Sequence, residues 1–362
     1  MSRLMKRKCL ISSLRLAGSP RVARAIAAGM LTLAVGVSSA SASLLGTAGQ
    51  YGEFILGNST RANVDAQGKV AVGGNANFTN FTVASQQPTN TTNLVVGGTL
   101  NASSATVKGH IITGGNATYT TPTVNGNFSS NGSVSFGSGG TVNGNVRYGT
   151  TFNQNGATIS GTITGPVATP VPVNFAAEGA YLTALSAAQV NALDPSPTFN
   201  FSQLFINGDP GANYFNVTGA QVAAATGGFN INAPAGATIV LNVSGSGFTI
   251  PNTGFNLSGG ISVDHLLWNF YEATAFTIQG SARGTFLAPL AAVSTTFGGF
   301  NGNLIAGSLT GSIETHTMND GGGVPTFFDG ELRPVPEPAS LGMLLVATIG
   351  GASLLRSRMS AA

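Results

Sequence analysis

The side chains that could do acid–base chemistry are few and unevenly placed in this 362-residue chain, which has 12 acidic residues and 3 histidines. Glu314 and His316 flank a single threonine, so a strand would present both on one face, and Asp264 directly precedes His265. Cleavage of a glycosidic bond generally needs two carboxylates. Glu314 and Asp264 are therefore the residues on which a polysaccharide-acting enzyme would depend.

The distribution of acids and histidines argues against that chemistry. No Asp or Glu occurs between Ala66 and Ala177, so this segment contains no two-carboxylate site of its own. His110 lies far from the other two histidines, and the three show no metal-ligand spacing. We therefore predict that the protein is not an enzyme, with no catalytic residue, no metal site and no cofactor.

Two other acidic positions have simpler interpretations. Asp65, within Asn-Val-Asp-Ala-Gln-Gly, is interpreted as a turn-forming residue that hydrogen-bonds its own backbone. Asp320 precedes three glycines, as in some calcium loops, but no regular Gly/Asp nonapeptide array supports calcium binding. We interpret this segment as an exit loop.

The C-terminal end carries a three-part pattern. Val335-Pro336-Glu337-Pro338 is followed by an apolar span at 339–355 and then by Arg356 and Arg358. The two prolines favour an extended, accessible segment, the span is just long enough to cross a bilayer, and arginines favour the cytoplasmic side. The pattern, at 335–358, resembles the PEP-CTERM sorting signal of Gram-negative bacteria. The resemblance implies exosortase as a partner and a transient inner-membrane intermediate with a transmembrane helix.

The N-terminal end reads as a secretory signal peptide. Seven Lys and Arg residues precede an uncharged run at 25–37, and Ala40-Ser41-Ala42 supplies small residues for signal peptidase, so residues 1–42 are predicted to be removed. The exported body at 43–334 then retains six basic and eleven acidic residues, a net charge of about −5, and loses the only cysteine, Cys9. Nucleic-acid binding, disulfides and thiolate chemistry are therefore not expected.

A repeat organises the exported body. Thr-Val/Ile-x-Gly units recur at intervals of 17, 18 and 17 residues. We predict an all-β parallel β-helix in which Val107, Val124, Val142 and Ile159 form one inward column, and in which the asparagines of the repeated Val-Asn-Gly-Asn stack at a turn. The glycines that end the units are predicted to form corners that need positive φ and space for the next coil: Gly109, Gly126, Gly144 and Gly161. An antiparallel sandwich remains the alternative fold.

Two segments depart from the repeat. The stretch at about 174–193 is rich in alanine and predicts one packed helix, with Asn174 as its N-cap, Leu193 near its apolar face and Asp194-Pro195 as its stop. Further along, aromatic residues become frequent, and we expect them to cap or close the stack. These aromatic residues are Trp268, Phe270, Phe276, Phe286 and Phe297.

The body also resembles the choice-of-anchor A domain, over most of residues 45–330. The resemblance rests on segments 51–57, 63–74, 94–98, 267–270, 284–289 and 304–309. It implies a bacterial surface protein of adhesive or matrix type. The coil-plus-helix layout and the Phe-Leu-Ala-Pro segment are also similar to the ice-binding β-helix domain, although no sustained Thr-x-Thr ladder is evident in the sequence.

Together these patterns predict an exported, exosortase-sorted protein of the cell surface or extracellular matrix. A β-helix offers long polar faces of Thr, Ser and Asn, suited to many weak hydrogen bonds with extracellular polysaccharide or with another copy of itself. Two alternatives remain open: an ice-binding protein and a polysaccharide-acting β-helix enzyme.

Overall fold

Short parallel strands dominate the structure, a computed structural model that describes residues 44–317 and 327–335. The strands that precede the first α-helix are β1 Glu53–Ile55, β2 Ser59–Ala66, β3 Val70–Val72, β4 Ala76–Val83, β5 Thr92–Val96, β6 Leu100–Ser103, β7 Thr106–Val107, β8 His110–Thr113, β9 Ala117–Thr120, β10 Thr123–Val124, β11 Phe128–Ser130, β12 Val134–Phe136, β13 Thr141–Val142, β14 Val146–Tyr148, β15 Phe152–Asn153, β16 Thr158–Ile159 and β17 Ile163–Thr164.

The second half contains the helices and longer strands. Its elements are α1 Phe175–Ala188, β18 Thr198–Asn200, β19 Gln203–Asn207, β20 Ala212–Thr218, α2 Gly219–Ala224, β21 Gly228–Asn232, β22 Thr238–Ser244, β23 Gly247–Ile250, β24 Phe255–Ser258, β25 Leu266–Asn269, β26 Ala275–Ile278, β27 Ala282–Arg283, β28 Thr285–Thr295, β29 Gly299–Asn301, β30 Leu304–Gly311 and β31 Glu314–His316. Two 3₁₀ segments are Gly46–Gln50 and Val263–His265.

All strands except β18, β19, β21 and β24, which form a separate sheet with β18 antiparallel to β19, stack in parallel register into a β-helix with three faces, as the repeat predicted. Face A contains, in spatial order, β20, β22, β25, β28, β30, β1, β3, β5, β8, β11, β14 and β17. Face B contains β23, β26, β28, β30, β2, β4, β6, β9, β12 and β15. Face C contains β27, β29, β31, β2, β4, β7, β10, β13 and β16. The antiparallel sandwich is wrong for this stack.

The coils do not stack in chain order. The first coil, at 53–66, lies between the coil at 70–83 and the last coil, at 304–316, because β1 pairs with both β3 and β30. The described chain therefore begins in the middle of the stack, builds outward to β17, and crosses to the other end before building back. We call the junction between the first and last coils the seam.

The predicted apolar column is confirmed. Val107, Val124, Val142 and Ile159 are in register, and the three valines are fully buried. The prediction for the corner glycines is correct only in part, because Gly109 alone among the four has positive φ, at 132°. What the others need is space: a Cβ on Gly126, Gly144 or Gly161 would lie 2.6 Å from the backbone carbon of the glycine one coil earlier. The asparagine stack is also confirmed, since Asn145 N–H donates to Asn127 Oδ1 at 2.9 Å.

The helix α1 begins as predicted and ends earlier. Asn174 caps it by accepting a hydrogen bond from Ala177 N–H at 3.1 Å. The helix ends at Ala188, five residues before the predicted end, and Leu193 is 90% exposed rather than packed. Asp194 does not stop the helix; its carboxylate instead receives the guanidinium of Arg333 at 2.8 Å. The short helix α2 was missed, although Thr218 and Gln221 form the capping box that marks its start.

Helix α1 covers the outer side of face A. Leu182 and Leu185 are buried in one apolar cluster with outward residues of this face: Phe54, Ala71, Val95, Val240, Leu267, Leu287 and Ile305. Because these strands lie on both sides of the seam, the helix spans it. Face A is therefore apolar on both sides where α1 lies, which explains its runs of consecutive hydrophobic residues.

The aromatic residues of the second half fill the stack rather than closing its end. Trp268, Phe270, Phe276 and Phe286 form a buried cluster with ring centroids 4.7–6.4 Å apart. Such pairs contribute about 0.5–1.5 kcal/mol each beyond their buried area. Phe297 was expected in this cluster, but it is 56% exposed, because it lies in the turn that follows β28.

Candidate functional site

Face B presents a continuous outward column of small polar side chains, one from each of ten successive rungs. We call it the ten-rung column. Its members, in spatial order, are Thr249, Thr277, Ser294, Thr310, Thr60, Asn77, Asn101, Thr118, Ser135 and Asn153. With rungs about 4.8 Å apart, the column is about 40 Å long.

Alternation along each strand positions this column. The residue before each member points inward, and examples are Phe276, Val293, Leu309, Leu100 and Val134, all of which are buried. Since successive side chains of a strand point to opposite faces, burying one set exposes the other. The register that aligns the apolar interior therefore also aligns the hydroxyls and amides outside.

Side-chain ladders hold part of this surface rigid. Asn101 Nδ2 donates to Asn77 Oδ1 at 3.0 Å within the column. Two positions earlier on these rungs, in the turns before the strands, Asn58 Oδ1 accepts from Asn75 N–H at 2.8 Å, and Asn75 Oδ1 accepts from Thr99 N–H at 2.9 Å. A shallow depression crosses the centre of the column, lined in part by Asn77, Asn101 and Thr118. Preordered groups of this kind lose little entropy when they bind a ligand.

The ten-rung column carries no charge. None of its members is Lys, Arg, Asp or Glu. Hydroxyl and amide groups both donate and accept hydrogen bonds, so the surface suits a neutral hydroxyl-rich partner. Without charges it provides no electrostatic steering, and its binding depends on the sum of many weak contacts.

Face C carries a second ordered column, of five threonines in consecutive rungs: Thr82, Thr106, Thr123, Thr141 and Thr158. The strict Thr-x-Thr pattern does not hold here, because the residues two positions later include Lys108, Asn125 and Asn143. The threonine column is visible only after the rungs are aligned, since no single strand contains more than one of its members.

The structure brings together three of the acid–base side chains. Asp65 lies in β2 on the rung next to Glu314 of β31, and Glu314 Oε1 lies 3.1 Å from His316 Nε2. The interpretation of Asp65 as a turn former is wrong, because it lies within a strand and accepts a hydrogen bond from Ser85 Oγ at 2.7 Å. The pKa of Glu314 is raised, mainly by a hydrogen bond with Asp65 and to a smaller extent by desolvation. The sequence did not indicate Asp65 as a neighbour of Glu314, because 249 residues separate the two.

The other candidates lie apart from this cluster and have structural partners. His265 Nδ1 lies 3.2 Å from the carbonyl oxygen of Ala237, and the hydroxyl of Ser262 donates to Asp264. His110 Nδ1 accepts a hydrogen bond from a backbone N–H. Within residues 44–317 and 327–335, no group of three or more His, Cys, Asp or Glu side chains is arranged to hold a metal ion.

Most of the predicted targeting residues fall outside the described part of the chain. These are Ala40, Ala42, Pro336, Glu337, Pro338, Arg356, Arg358, together with Asp320 and the apolar span at 339–355. In the parts that the structure does describe, no helix is both long and apolar enough to cross a bilayer.

Val335, the first residue of the predicted sorting motif, is the last residue of a segment, 327–335, that lies against the folded body. Arg333 N–H donates to Gln189 Oε1 at 2.9 Å, its guanidinium lies 3.7 Å from the centre of the Tyr214 ring, and it pairs with both oxygens of Asp194. Val335 itself packs against the apolar cluster beneath α1. The chain is therefore held in place up to the start of the predicted motif.

The fold and the polar columns define a β-helix with an apolar interior and ordered, uncharged outer surfaces. The chain belongs to the family described as "Putative Ice-binding-like adhesive domain", whose model matches residues 44–135 and 123–317.

Two solved structures are similar to this chain. An ice-binding protein from the Antarctic ascomycete Antarctomyces psychrotrophicus is 14% identical, with a TM-score of 0.26, and the alignment covers 76% of this chain and 98% of that one. An ice-binding protein from an Antarctic Flavobacteriaceae bacterium is 13% identical, with a TM-score of 0.22 and the same coverage. No curated protein matches the chain.

Proposed function

We propose that this protein is a non-enzymatic adhesive protein of the cell surface or extracellular matrix, which binds neutral polysaccharide through the ten-rung column. The observation that carries the proposal is the uninterrupted alignment of ten Thr, Ser and Asn side chains on one face. Membership in an adhesive-domain family supports it. Self-association through the same face is the other use of this surface.

The test is retention of the purified protein on a neutral extracellular polysaccharide across a salt series. Uncharged contacts are insensitive to screening, so retention is expected to stay constant up to high salt. Replacing Asn101 and Thr118 by lysine puts two bulky charges at the centre of the column and is expected to reduce retention at least tenfold. The control, Thr123→Lys, places one such charge on face C. Retention that vanishes at moderate salt, or that survives the double change, contradicts the proposal.

A second candidate function is ice binding, favoured by the five threonines in register on face C. Thermal hysteresis measures this activity directly. Here the roles of the variants reverse: Thr123→Lys is expected to abolish thermal hysteresis, while the face B double variant retains it. A wild-type protein without thermal hysteresis removes this candidate.

The proposal includes no catalytic activity, and this part is tested with a broad panel of glycans. We expect no turnover by the wild-type protein. If turnover occurs and Glu314→Gln or Asp264→Asn abolishes it, the protein is a polysaccharide-acting enzyme instead. Asp65 and His316 would then be the partners of Glu314.

The route to the surface completes the proposal. We propose that signal peptidase removes residues 1–42 and that exosortase processes the motif at Val335-Pro336-Glu337-Pro338. Arg356 and Arg358 would hold the apolar span in the inner membrane until processing. Changing Glu337 to alanine, or deleting 341–355, is expected to stop processing and retain the chain in the wrong compartment. Normal surface display after both changes contradicts this sorting route.

A further inference from the structure

A groove on the uncovered part of face A differs chemically from both polar columns. It crosses three successive rungs, β8, β11 and β14, and includes two short columns of outward residues. His110, Asn127 and Asn145 form one column, and Ile112, Ser129 and Arg147 form the other.

A ladder of hydrogen bonds engages the acceptor atoms of the first column. Asn127 N–H donates to His110 Nδ1 at 2.9 Å, Asn145 N–H donates to Asn127 Oδ1 at 2.9 Å, and Thr162 N–H donates to Asn145 Oδ1 at 2.9 Å. Because a neutral imidazole carries one proton, acceptance at Nδ1 assigns that proton to Nε2. Asn145 Oδ1 also accepts from the Thr162 hydroxyl at 3.0 Å, so the groups left for a ligand are mainly donors, namely the Nε2–H of the histidine and the two amide NH₂ groups.

The second column adds two more donors. Neither Arg147 nor Ser129 makes a side-chain hydrogen bond or ion pair within residues 44–317 and 327–335, and Arg147 is exposed. The guanidinium of Arg147 can only donate hydrogen bonds. Because it is planar, it can bind both oxygens of a carboxylate through two parallel hydrogen bonds. Ile112 adds an apolar patch beside it, against which the C–H face of a sugar ring can pack.

The half of the stack that contains the groove is positively charged, like Arg147. Residues 66–177 contain Lys69, Lys108 and Arg147 and not one acid, whereas the exported body as a whole is acidic. The rungs around the groove therefore offer no carboxylate that could neutralise Arg147. A donor-rich groove with a fixed cation is complementary to an anion that has several acceptor oxygens.

We propose that this groove is a second binding site, for the uronate carboxylates of an acidic polysaccharide, with Arg147 as the anchoring cation. A uronate supplies acceptor oxygens for these donors, and its ring supplies an apolar face for Ile112. The site is separate from the ten-rung column, so the two proposals can fail independently.

The test uses polygalacturonate as the probe, in low salt with a chelator present, and its methyl ester as the matched uncharged polymer. The protein is expected to bind polygalacturonate, to bind the ester at least tenfold more weakly, and to lose affinity as salt rises. Arg147→Gln is expected to lower the affinity at least tenfold. Ser129→Ala, which removes a hydroxyl that has no partner in the described chain, is expected to lower it severalfold.

Lys69→Gln is the control, because it removes one positive charge from the same half of the stack at a position outside the groove. It is expected to change the affinity by less than twofold. Equal binding of the two polymers, unchanged binding by Arg147→Gln, or equal losses in Arg147→Gln and Lys69→Gln would each overturn the proposal. Retention on neutral polysaccharide should be the same in all three variants.

Discussion

The ion pair at the seam provides a quantitative test of how the first and last coils are joined. Glu53 and Arg61 are completely buried, with Arg61 Nη2 and Glu53 Oε1 3.0 Å apart. Arg61 Nη1 also donates to the carbonyl oxygen of Gly311 at 2.9 Å, and Arg61 Nη2 donates to the carbonyl oxygen of Ile313. Thr315 Oγ1 donates to Glu53 Oε1 at 2.8 Å. The ion pair lies within the first coil, whereas the bonds to Gly311, Ile313 and Thr315 join residues 250–262 positions apart.

The perturbation is Arg61→Met, which keeps much of the side-chain volume and removes the charge. It leaves Glu53 as a buried carboxylate with Thr315 as its remaining side-chain donor, and it leaves two carbonyl oxygens of the last coil without this donor. Removing one partner of a buried ion pair costs about 3–5 kcal/mol. For a domain of this size, such a loss lowers Tm by about 5–8 °C.

The assay is denaturant unfolding combined with a double-mutant cycle. Glu53→Gln together with Arg61→Met removes both charges, so the double variant is expected to lose less stability than the sum of the single losses. Hydrogen exchange should accelerate first in β2 and β30, the strands that meet at the seam. Lys69→Met is the control for loss of an ordinary surface charge. A loss below about 1 kcal/mol for Arg61→Met, or additive single losses, would refute the role of the pair.

Two further changes probe close packing and pH dependence. Gly149→Ala should lower the melting temperature sharply, because the added Cβ would collide with the carbonyl oxygen of Asn131. Gly247→Ala is the control and should be nearly neutral, because its added Cβ would lie 3.6 Å from the nearest atom. Equal melting temperatures of the two variants would contradict this reasoning. The raised pKa of Glu314 means that the folded state binds more protons than the unfolded state just above the ordinary pKa of 4.5. Stability should therefore fall as pH rises through this window, and Glu314→Gln should flatten the curve, unlike the exposed control Asp209→Asn.

The repeat could be recognised in the sequence because each coil is formed by residues that are close together along the chain. Each coil places one inward valine or isoleucine at the same point, so Val107, Val124, Val142 and Ile159 recur at nearly constant spacing. The N-cap of α1 is equally local, since Asn174 contacts a residue only three positions away. Such features depend on neighbours along the chain, and composition and spacing predict them.

The candidate sites were only partly predictable, because they combine residues from different coils. The sequence indicated polar faces of Thr, Ser and Asn, but the ten-rung column joins Thr310 to Thr60, which lie 250 positions apart. Glu314 and His316 were candidates, whereas Asp65 became their neighbour only through the seam. The donor-rich groove also depends on which atoms of His110 and Asn127 form the ladder, and side-chain type alone does not determine that choice.

By itself the sequence determined the parallel solenoid, the buried columns, the start of the packed helix and the shortage of charge, because all of these follow from periodicity and composition. The tertiary structure decided the order in which the coils stack, the burial of Glu53 with Arg61, the length of the polar columns and the covering of face A by α1. The reason is that one rung pairs equally well, by backbone hydrogen bonding, with any rung of matching shape. Long-range side-chain contacts at the seam select among those pairings.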